Sequence, residues 1–539
     1  MIRKDIAIRE GFLHIPVNPG IGPRYSLQIW YGKSLLRDFY VSISADTDAP
    51  YFFLDMTDFR DKTVTLMLQE PEGLPEDVLE RCTDGAEAVP GHPLYPDLYR
   101  EELRPQFHFS SRRGWLNDPN GLVYADGKFH LYYQHNPLGT PHGSVNICWG
   151  HAVSDDLVRW EEKSDAILPW RRDWSIASGS AVMDYENRAG YGENAMIAAF
   201  TTLGTQSKDG GIYPSGGQFL AGSTDGGDHF YLFDSHATVP TENGEGWRDP
   251  RLFRYGDKII MAVYEVEDGV NCVSFYQSED FHHWTRTSRN KDLFECPDIF
   301  PLKTEDGEER WVLYGADGLC RIGIFDGAVF TESGQSHPLD YGTATYAGQT
   351  WSEHPEGKRV HISWVRGMGG ENEGDELGYT GMPFSQCMSV PCELTLEKHG
   401  EQYRVCRNPV PELVKLRREE AQTMTAERTE GHTFAVAPLK EYVLTLTDIK
   451  APVTIRLGRH DVVYDPQKSI LTFENGTTAA VRADALSIRV LADTTTMEAF
   501  FDGGIAATYA MHPEELALTV TGEMRLQAEV WDLRSIWKE

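Results

Sequence analysis

The chain has 539 residues, 40% of them hydrophobic and 24% charged, which suffices for about two to four domains with sizeable cores. A formal net charge of −32 argues against nucleic acid and anionic membrane as partners and leaves a neutral ligand as the simpler expectation. No run approaches the roughly 20 apolar residues of a membrane span, and Met-Ile-Arg-Lys-Asp at the start lacks the apolar core of a signal peptide. A cytoplasmic location is therefore expected, with secretion after loss of a leader as the alternative.

The first segment alternates apolar and polar residues in short runs such as Phe12-Leu-His-Ile-Pro, Tyr25-Ser-Leu-Gln-Ile-Trp-Tyr31 and Thr63-Val-Thr-Leu-Met-Leu68. Period two at this spacing predicts a small antiparallel β-sandwich. Residues 70–105 then become acidic and proline-rich and read as a linker or an arm packed on the next domain. The first unit, module and linker, is set at residues 1–104.

From residue 105 three stretches repeat one design. Asp118 in Trp115-Leu-Asn-Asp-Pro-Asn-Gly121, Asp249 in Asp249-Pro-Arg-Leu-Phe and Glu295 in Glu295-Cys-Pro-Asp-Ile-Phe each precede an apolar strand, a glycine-containing turn and an aromatic-rich strand. That is the pattern of a β-hairpin. A second repeat runs Ser, Asp and a closing aromatic in Ser154-Asp-Asp-Leu-Val-Arg-Trp160, Ser223-Thr-Asp-Gly-Gly-Asp-His-Phe230 and Ser278-Glu-Asp-Phe-His-His-Trp284. Units of roughly 50 to 70 residues, with hairpins beginning near 118, 178, 249, 295 and 341, predict a propeller of about five blades over 105–375. In a propeller the first strand of each blade lines the central channel, so acids at equivalent strand starts converge there.

Residues 366–382, rich in Gly, Glu and Asp, read as a long exposed loop. Alternation then resumes to the end and predicts two packed antiparallel sheets over 376–539. Helix is expected to be scarce, with 411–420 the main candidate. Eight cysteines are scattered without Cys-x-x-Cys pairs, so buried free thiols are expected rather than a zinc site or a disulfide framework.

Converging carboxylates have three readings: acids that merely cap turns, a metal or lectin-type site, or the acid pair of glycosidic cleavage. The calcium-loop spacing is absent, and the recurrence of the acids favours the enzyme. Trp115, Tyr133, His135, Trp149, Trp247 and Trp364 would suit sugar faces, although propeller aromatics are more often core.

The motifs WLNDPNG (115–121), FHLYYQHNP (129–137), NICWGHAVSDDLVRW (146–160), SGSA (178–181), WRDP (247–250), ECPDIF (295–300) and DYGTATYAGQTW (340–351) resemble glycoside hydrolase family 32, the β-fructofuranosidases, levanases and inulinases. The resemblance implies a five-bladed propeller followed by a β-sandwich. The first 100 residues are similar to an accessory β-module found before the propeller in some bacterial fructosidases.

It further implies a retaining hydrolase of non-reducing β-fructofuranosyl ends. Asp118 would be the nucleophile, Glu295 the general acid/base and Asp249 the group gripping fructose hydroxyls, with the first two carboxyls about 5 to 5.5 Å apart. Glu295 would have to keep its proton while Asp118 stays ionised, and Arg248 would keep Asp249 charged. Asn117, Arg248, Gln134, Ser178, Trp364 and Trp149 match positions lining or bordering the sugar pocket. No metal or organic cofactor is needed, the partner is a fructan or fructo-oligosaccharide, and the β-modules offer surfaces for a homo-oligomer. A fructosyltransferase using the same acids and a non-catalytic fructan-binding protein are the alternatives.

The chain departs from the family's pattern after Asn136-Pro137. Where Trp-Gly-Asn is usual it has Leu-Gly-Thr-Pro-His142, and Ala177 stands where phenylalanine commonly precedes Ser178. The expectation is an altered leaving-group wall in which His142 offers a hydrogen bond, unless Trp170 or Trp174 fills the space, and sucrose is then a poor substrate relative to fructans.

Overall fold

Alternating apolar residues near the N-terminus fold as two small facing sheets. The computed structural model describes all residues except 21, 144–145, 170–173, 205–216, 235–236, 241–245, 368–378, 400–401, 482–484 and 538–539. Ile2–Ile8, Lys62–Leu68, Tyr25–Tyr31 and Ser34–Val41 form one antiparallel sheet, and Tyr51–Asp55, Phe12–Pro16 and Thr83–Gly85 form the other. Period two sends Leu27, Ile29, Val64 and Leu66 inward against Leu13, Ile15, Phe52 and Leu54. The proline-rich arm that follows is packed rather than free, with Tyr95 and Leu98 buried and the Tyr95 hydroxyl 2.6 Å from His14 Nδ1.

Five antiparallel sheets follow as propeller blades, each built in chain order from its innermost strand outward. Those innermost strands are Gly114–Ala125, Trp174–Asp184, Arg248–Tyr255, Asp298–Lys303 and Thr345–Thr350. The Ser-x-Asp repeat has a local cause: it caps the turn that ends the third strand. Ser154 Oγ accepts from Asp156 N at 3.1 Å and Ser278 Oγ from Asp280 N at 3.2 Å, while the aspartate oxygens receive N–H groups two to four residues on.

The expected division at 375/376 falls inside the fifth blade, whose strands Thr345–Thr350 and Arg359–Val365 continue in Cys392–His399 and Gln402–Pro409. The long insertion between the second and third of these strands hid their pairing. In the same stretch Phe384–Ser385 pairs in parallel with Gly114 and Trp115 of the first blade, which ties the two ends of the ring. We place the division at about residue 410. Of the 366–382 loop, residues 368–378 lie outside the described residues. The expected helix at 411–420 is a short 3-10 turn, Pro411–Leu416, because Pro411 can start a helix but Arg417 already turns to extended backbone.

The C-terminal unit is a sandwich whose two sheets share one strand. Leu518–Asp532 pairs through Leu518–Thr521 with Val453–Leu457 and through Arg525–Asp532 with Lys440–Thr447. Gly522, at φ +138, marks the crossing, and a Cβ there would lie 2.9 Å from Val453 Cγ2. Residues of both sheets, among them Leu444, Ile455, Val462, Ile488 and Ala499, fill one core.

The N-terminal module also grips the propeller. Leu138 of the first blade is buried in the module's core, Gly20 N donates to Thr140 Oγ1 at 2.7 Å, and Asn146 exchanges two hydrogen bonds with the Tyr40 backbone at 2.9 and 2.7 Å. Deleting residues 1–100 exposes Leu138 and leaves these polar groups unpaired. The truncated chain is expected to melt several degrees lower and to yield less soluble protein; thermal unfolding and soluble yield check this, and an equally stable truncation would refute it.

Candidate active site

The innermost strands carry one recurring irregularity. Their pairing with the second strand shifts between Leu116 and Pro119, Ile176 and Gly179, Arg248 and Arg251, and Tyr346 and Gln349. In the fourth blade the Ala316 N–H is shared between the carbonyls of Phe294 and Glu295. A bulge re-aims the side chain it contains, and four of these five places hold Asp118, Ser178, Asp249 and Glu295. Asp249, Glu295 and Cys296 adopt φ of 61°, 47° and 40°, a left-handed region uncommon for non-glycine residues.

The three acids meet around Cys296. Its Sγ lies 3.6 Å from Asp118 Oδ2 and 3.5 Å from Asp249 Oδ2, and its N–H donates to Asp249 Oδ2 at 3.2 Å. Asp118 also accepts from Ser178 Oγ at 2.7 Å and Asn117 Nδ2 at 3.1 Å. Asn117 is held in turn by the Trp115 indole N–H at 2.8 Å. Glu295 accepts from Arg248 Nη2 through one oxygen and from the Tyr346 hydroxyl through the other. Asp118, Asp249, Glu295, Asn117, Ser178 and Arg248 are thus brought together.

Burial dominates the electrostatics. It pushes the Asp118 carboxyl up to about 6, against the pull of the Ser178 and Asn117 donors. It pushes Asp249 up to about 7, offset by Arg248 and reinforced by the charges of Glu295 and Asp118. Arg248 does not serve Asp249 alone: its Nε stands 3.7 Å from Asp249 while its terminal nitrogen bonds Glu295. One guanidinium therefore bridges two of the three acids.

Other expected residues sit differently. Gln134 Nε2 donates to Ile176 O at 3.0 Å and the Trp149 indole to Ala177 O at 3.0 Å. Trp149 is fully buried, so both residues pin the bulge that presents Ser178 instead of lining a pocket. Tyr133 and Trp247 are core residues. Trp364 edges onto Trp115 and Tyr346 with centroids 5.9 and 6.0 Å apart, and His142 meets Trp115 edge to face at 5.9 Å. This row of four rings forms the aromatic wall beside Asn117 and Glu295. Burial, then the charge of Arg24, lowers the His142 imidazole to about 4, so it is neutral at pH 7. Trp174 packs in the core on Phe219, and Trp170 lies outside the described residues.

Tyr346, and Thr201, whose Oγ1 accepts the Asp249 N–H at 2.9 Å, carried no acid to mark them. The bulge position of the fifth blade is the signal that points to Tyr346. Away from the acids, His135, Cys148 and Asp165 bring ligand-type atoms within 4.8 Å of one another. Both His135 nitrogens are already engaged, with Asp165 at 2.6 Å and the Arg113 carbonyl at 2.9 Å, which leaves no imidazole lone pair for an ion.

The five blades bring three carboxylates together, Asp118 and Asp249 at bulges of the first and third inner strands and Glu295 just before the fourth. The family model "Glycosyl hydrolases family 32 N-terminal domain" matches residues 108–409, and the chain belongs to that family. It is 31% identical over 347 residues to a levanase of Bacillus subtilis (strain 168), covering 59% of this chain and 48% of the relative. To invertase 2 of Saccharomyces cerevisiae it is 32% identical over 293 residues, covering 49% and 53%. The chain thus spans about half the length of these relatives. The exo-inulinase of Aspergillus awamori superposes with a TM-score of 0.70 at 22% identity, over 82% of this chain and all of that one. Fructan 1-exohydrolase IIa of Cichorium intybus gives 0.65 at 21%, over 81% and 98%. At these identities the two structures attest the fold.

Proposed function

We propose that the protein is a retaining glycoside hydrolase that releases fructose from non-reducing β-fructofuranosyl ends of fructans or fructo-oligosaccharides. The observation that carries this reading is the meeting of Asp118, Asp249 and Glu295 around Cys296. The levanase and invertase names of the relatives support the substrate class.

In this mechanism Asp118 attacks the anomeric carbon as the glycosidic C–O bond breaks, and Glu295 gives its proton to the leaving oxygen. Glu295 then takes a proton from water, the water oxygen bonds to the anomeric carbon, and the Asp118 ester is released. Ser178 and Asn117 aim Asp118. Asp249, buried with Arg248 at its edge, grips the hydroxyls of the terminal sugar. The test is incubation of the pure protein with inulin, levan and sucrose and chromatography of the products. Free fructose as the main product supports the reading; lengthened oligosaccharides would assign a transferase, and no turnover a binding protein.

The acids predict an acid limb. Asp118 acts ionised, and its proton is bound increasingly as pH falls through about 6; Asp249 follows the same sign near 7. Because the carboxylates interact, they titrate as a set. kcat/KM is expected to fall on the acid side of this window, approaching about tenfold per pH unit. A profile flat down to about pH 5 would contradict it.

The wall predicts specificity. With neutral His142 and small Ala177 in place of two larger rings, sucrose is expected to be turned over less efficiently than kestose, inulin or levan. His142→Trp with Ala177→Phe should shift the preference toward sucrose, each ring restoring on the order of 150 to 250 Å² of contact surface. An unchanged order of kcat/KM values would free these positions of that role.

A further inference from the structure

A cleft of about 740 Å³ opens between the N-terminal module, its arm and the propeller, within the roughly 300 to 1,000 Å³ typical of ligand sites. The module supplies Thr47, Tyr51 and Arg81, the arm supplies Asp97, and Met382 and Pro383 belong to the propeller side.

That propeller side also touches the aromatic cluster beside the acid site. Pro383 O accepts the N–H of Gly114, next to Trp115, at 2.9 Å, and Met382 packs in the cluster of Trp115, Trp364 and Tyr346. Tyr346 in turn donates to Glu295. One aromatic cluster therefore borders both the cleft and the acid site.

The chemistry of the cleft favours a neutral polyol. Arg81, Arg100 and Arg113 face Asp48, Asp97, Glu101 and Glu102; Glu101 is shared between Arg113 at 2.7 Å and Arg104 behind the lining, so the charges come close to cancelling. A net anion or cation gains little from such a lining, whereas a ligand that both donates and accepts hydrogen bonds meets partners throughout. Tyr51 adds a half-buried ring, steadied by the Arg81 guanidinium 5.5 Å from its centroid. Pro50, Pro93, Pro96 and Pro383 give rigid apolar edges. Rings and short apolar edges beside mixed polar groups suit a sugar, which has an apolar face and a hydroxylated rim.

We propose that this cleft is an accessory subsite holding distal units of the oligosaccharide whose terminal unit occupies the acid site. The inference rests on the proposed function for the identity of the sugar. It gives the N-terminal module a role in chain-length preference besides its structural one.

Calorimetric titration of a fructan trisaccharide and of a long fructo-oligosaccharide into the full-length Asp118→Asn protein reads the cleft without turnover. The long chain is expected to bind about five- to tenfold more tightly than the trisaccharide. Adding Tyr51→Ala, or separately Thr47→Trp, which places bulk in the cleft from an exposed loop, should erase that difference. Equal affinity for both lengths, or a preference that survives both substitutions, would overturn the proposal. Hydrolysis of the trisaccharide by the unsubstituted protein is the separate readout of the proposed function. Turnover without length preference discards the cleft alone, and absence of turnover discards the hydrolase whatever the titration gives.

Discussion

Asp118→Asn is expected to lower kcat on fructan ends by at least about 10³-fold, and Glu295→Gln by about 10²- to 10⁴-fold, with KM changing far less in both. The asymmetry follows from what each substitution keeps. Asparagine at 118 keeps one oxygen for the Asn117 amide and can turn its NH2 to the Ser178 hydroxyl, which in the parent donates to the other carboxylate oxygen, so the pocket keeps its shape and loses the carboxylate that forms the ester. Glutamine at 295 still meets the Tyr346 hydroxyl and Arg248 but has no proton for the leaving oxygen. Substrates with good leaving groups should therefore suffer less from Glu295→Gln than natural fructosides do, whereas Asp118→Asn should affect all substrates alike. Steady-state kinetics on levan, inulin and an activated fructoside measure this. Full activity of either variant would remove that residue from the proposed chemistry.

The acids were legible because a proline and an apolar run follow each of them closely, and a repeat of that pattern needs no tertiary information, although Asp118 and Asp249 lie within their inner strands and only Glu295 precedes one. Ser178 could be named from its motif, although the reason it faces Asp118 is the bulge between Ile176 and Gly179, which sequence periodicity alone does not reveal. Trp149 and Gln134 show the limit of position-by-position transfer: the residues match the pocket motifs, yet their side chains are spent on the Ala177 and Ile176 carbonyls. Tyr346 lies inside the quoted 340–351 motif, but the bulge between Tyr346 and Gln349 that brings its hydroxyl to Glu295 leaves no mark in the sequence. The fifth blade was cut short because pairing Arg359–Val365 with Cys392–His399 depends on closure across a long insertion, and loop closure costs grow too slowly with length to leave a sequence signature.

The junction between propeller and sandwich was not legible either, and it carries the largest expected stability effect. Thr496–Phe501 is buried along its whole length. Met497, Ala499 and Phe501 face the sandwich core, while Thr496, Glu498 and Phe500 face the propeller. Glu498 and Asp493 hold His108 between them, with Nε2 2.9 Å from Glu498 and Nδ1 2.8 Å from Asp493. Thr496 Oγ1 lies against the same ring at 3.2 Å. Arg407 of the fifth blade bonds Glu498 at 3.1 Å and also Asp340, and the backbone N–H groups of Gln106, Phe107 and His108 all donate to Asp493.

Burial alone would discharge His108, but the bonds and charges of Asp493 and Glu498 outweigh it and raise the imidazole to about 9. Both carboxyls are held below their ordinary values despite burial, Asp493 chiefly by His108 and Glu498 by Arg407 and His108. The sign is then fixed. The imidazolium's contribution is fully present below its unfolded value of about 6.5 and is lost as pH rises through about 9. The carboxylates' contribution is present above their ordinary values of 3.8 and 4.5 and is lost on acidification. The junction should be strongest between these limits.

His108→Ala leaves Asp493 without its cation and Glu498 with Arg407 alone, so it is expected to cost about 3 to 5 kcal/mol and to lower the melting midpoint by on the order of 10 °C. It should also remove the parent's loss of stability between neutral pH and about pH 9, because the group that titrates there is gone. Thermal unfolding of both proteins at neutral and alkaline pH distinguishes the two effects. If the variant melted with the parent and kept its alkaline slope, His108 would be neutral in the fold and the junction would be held by packing instead.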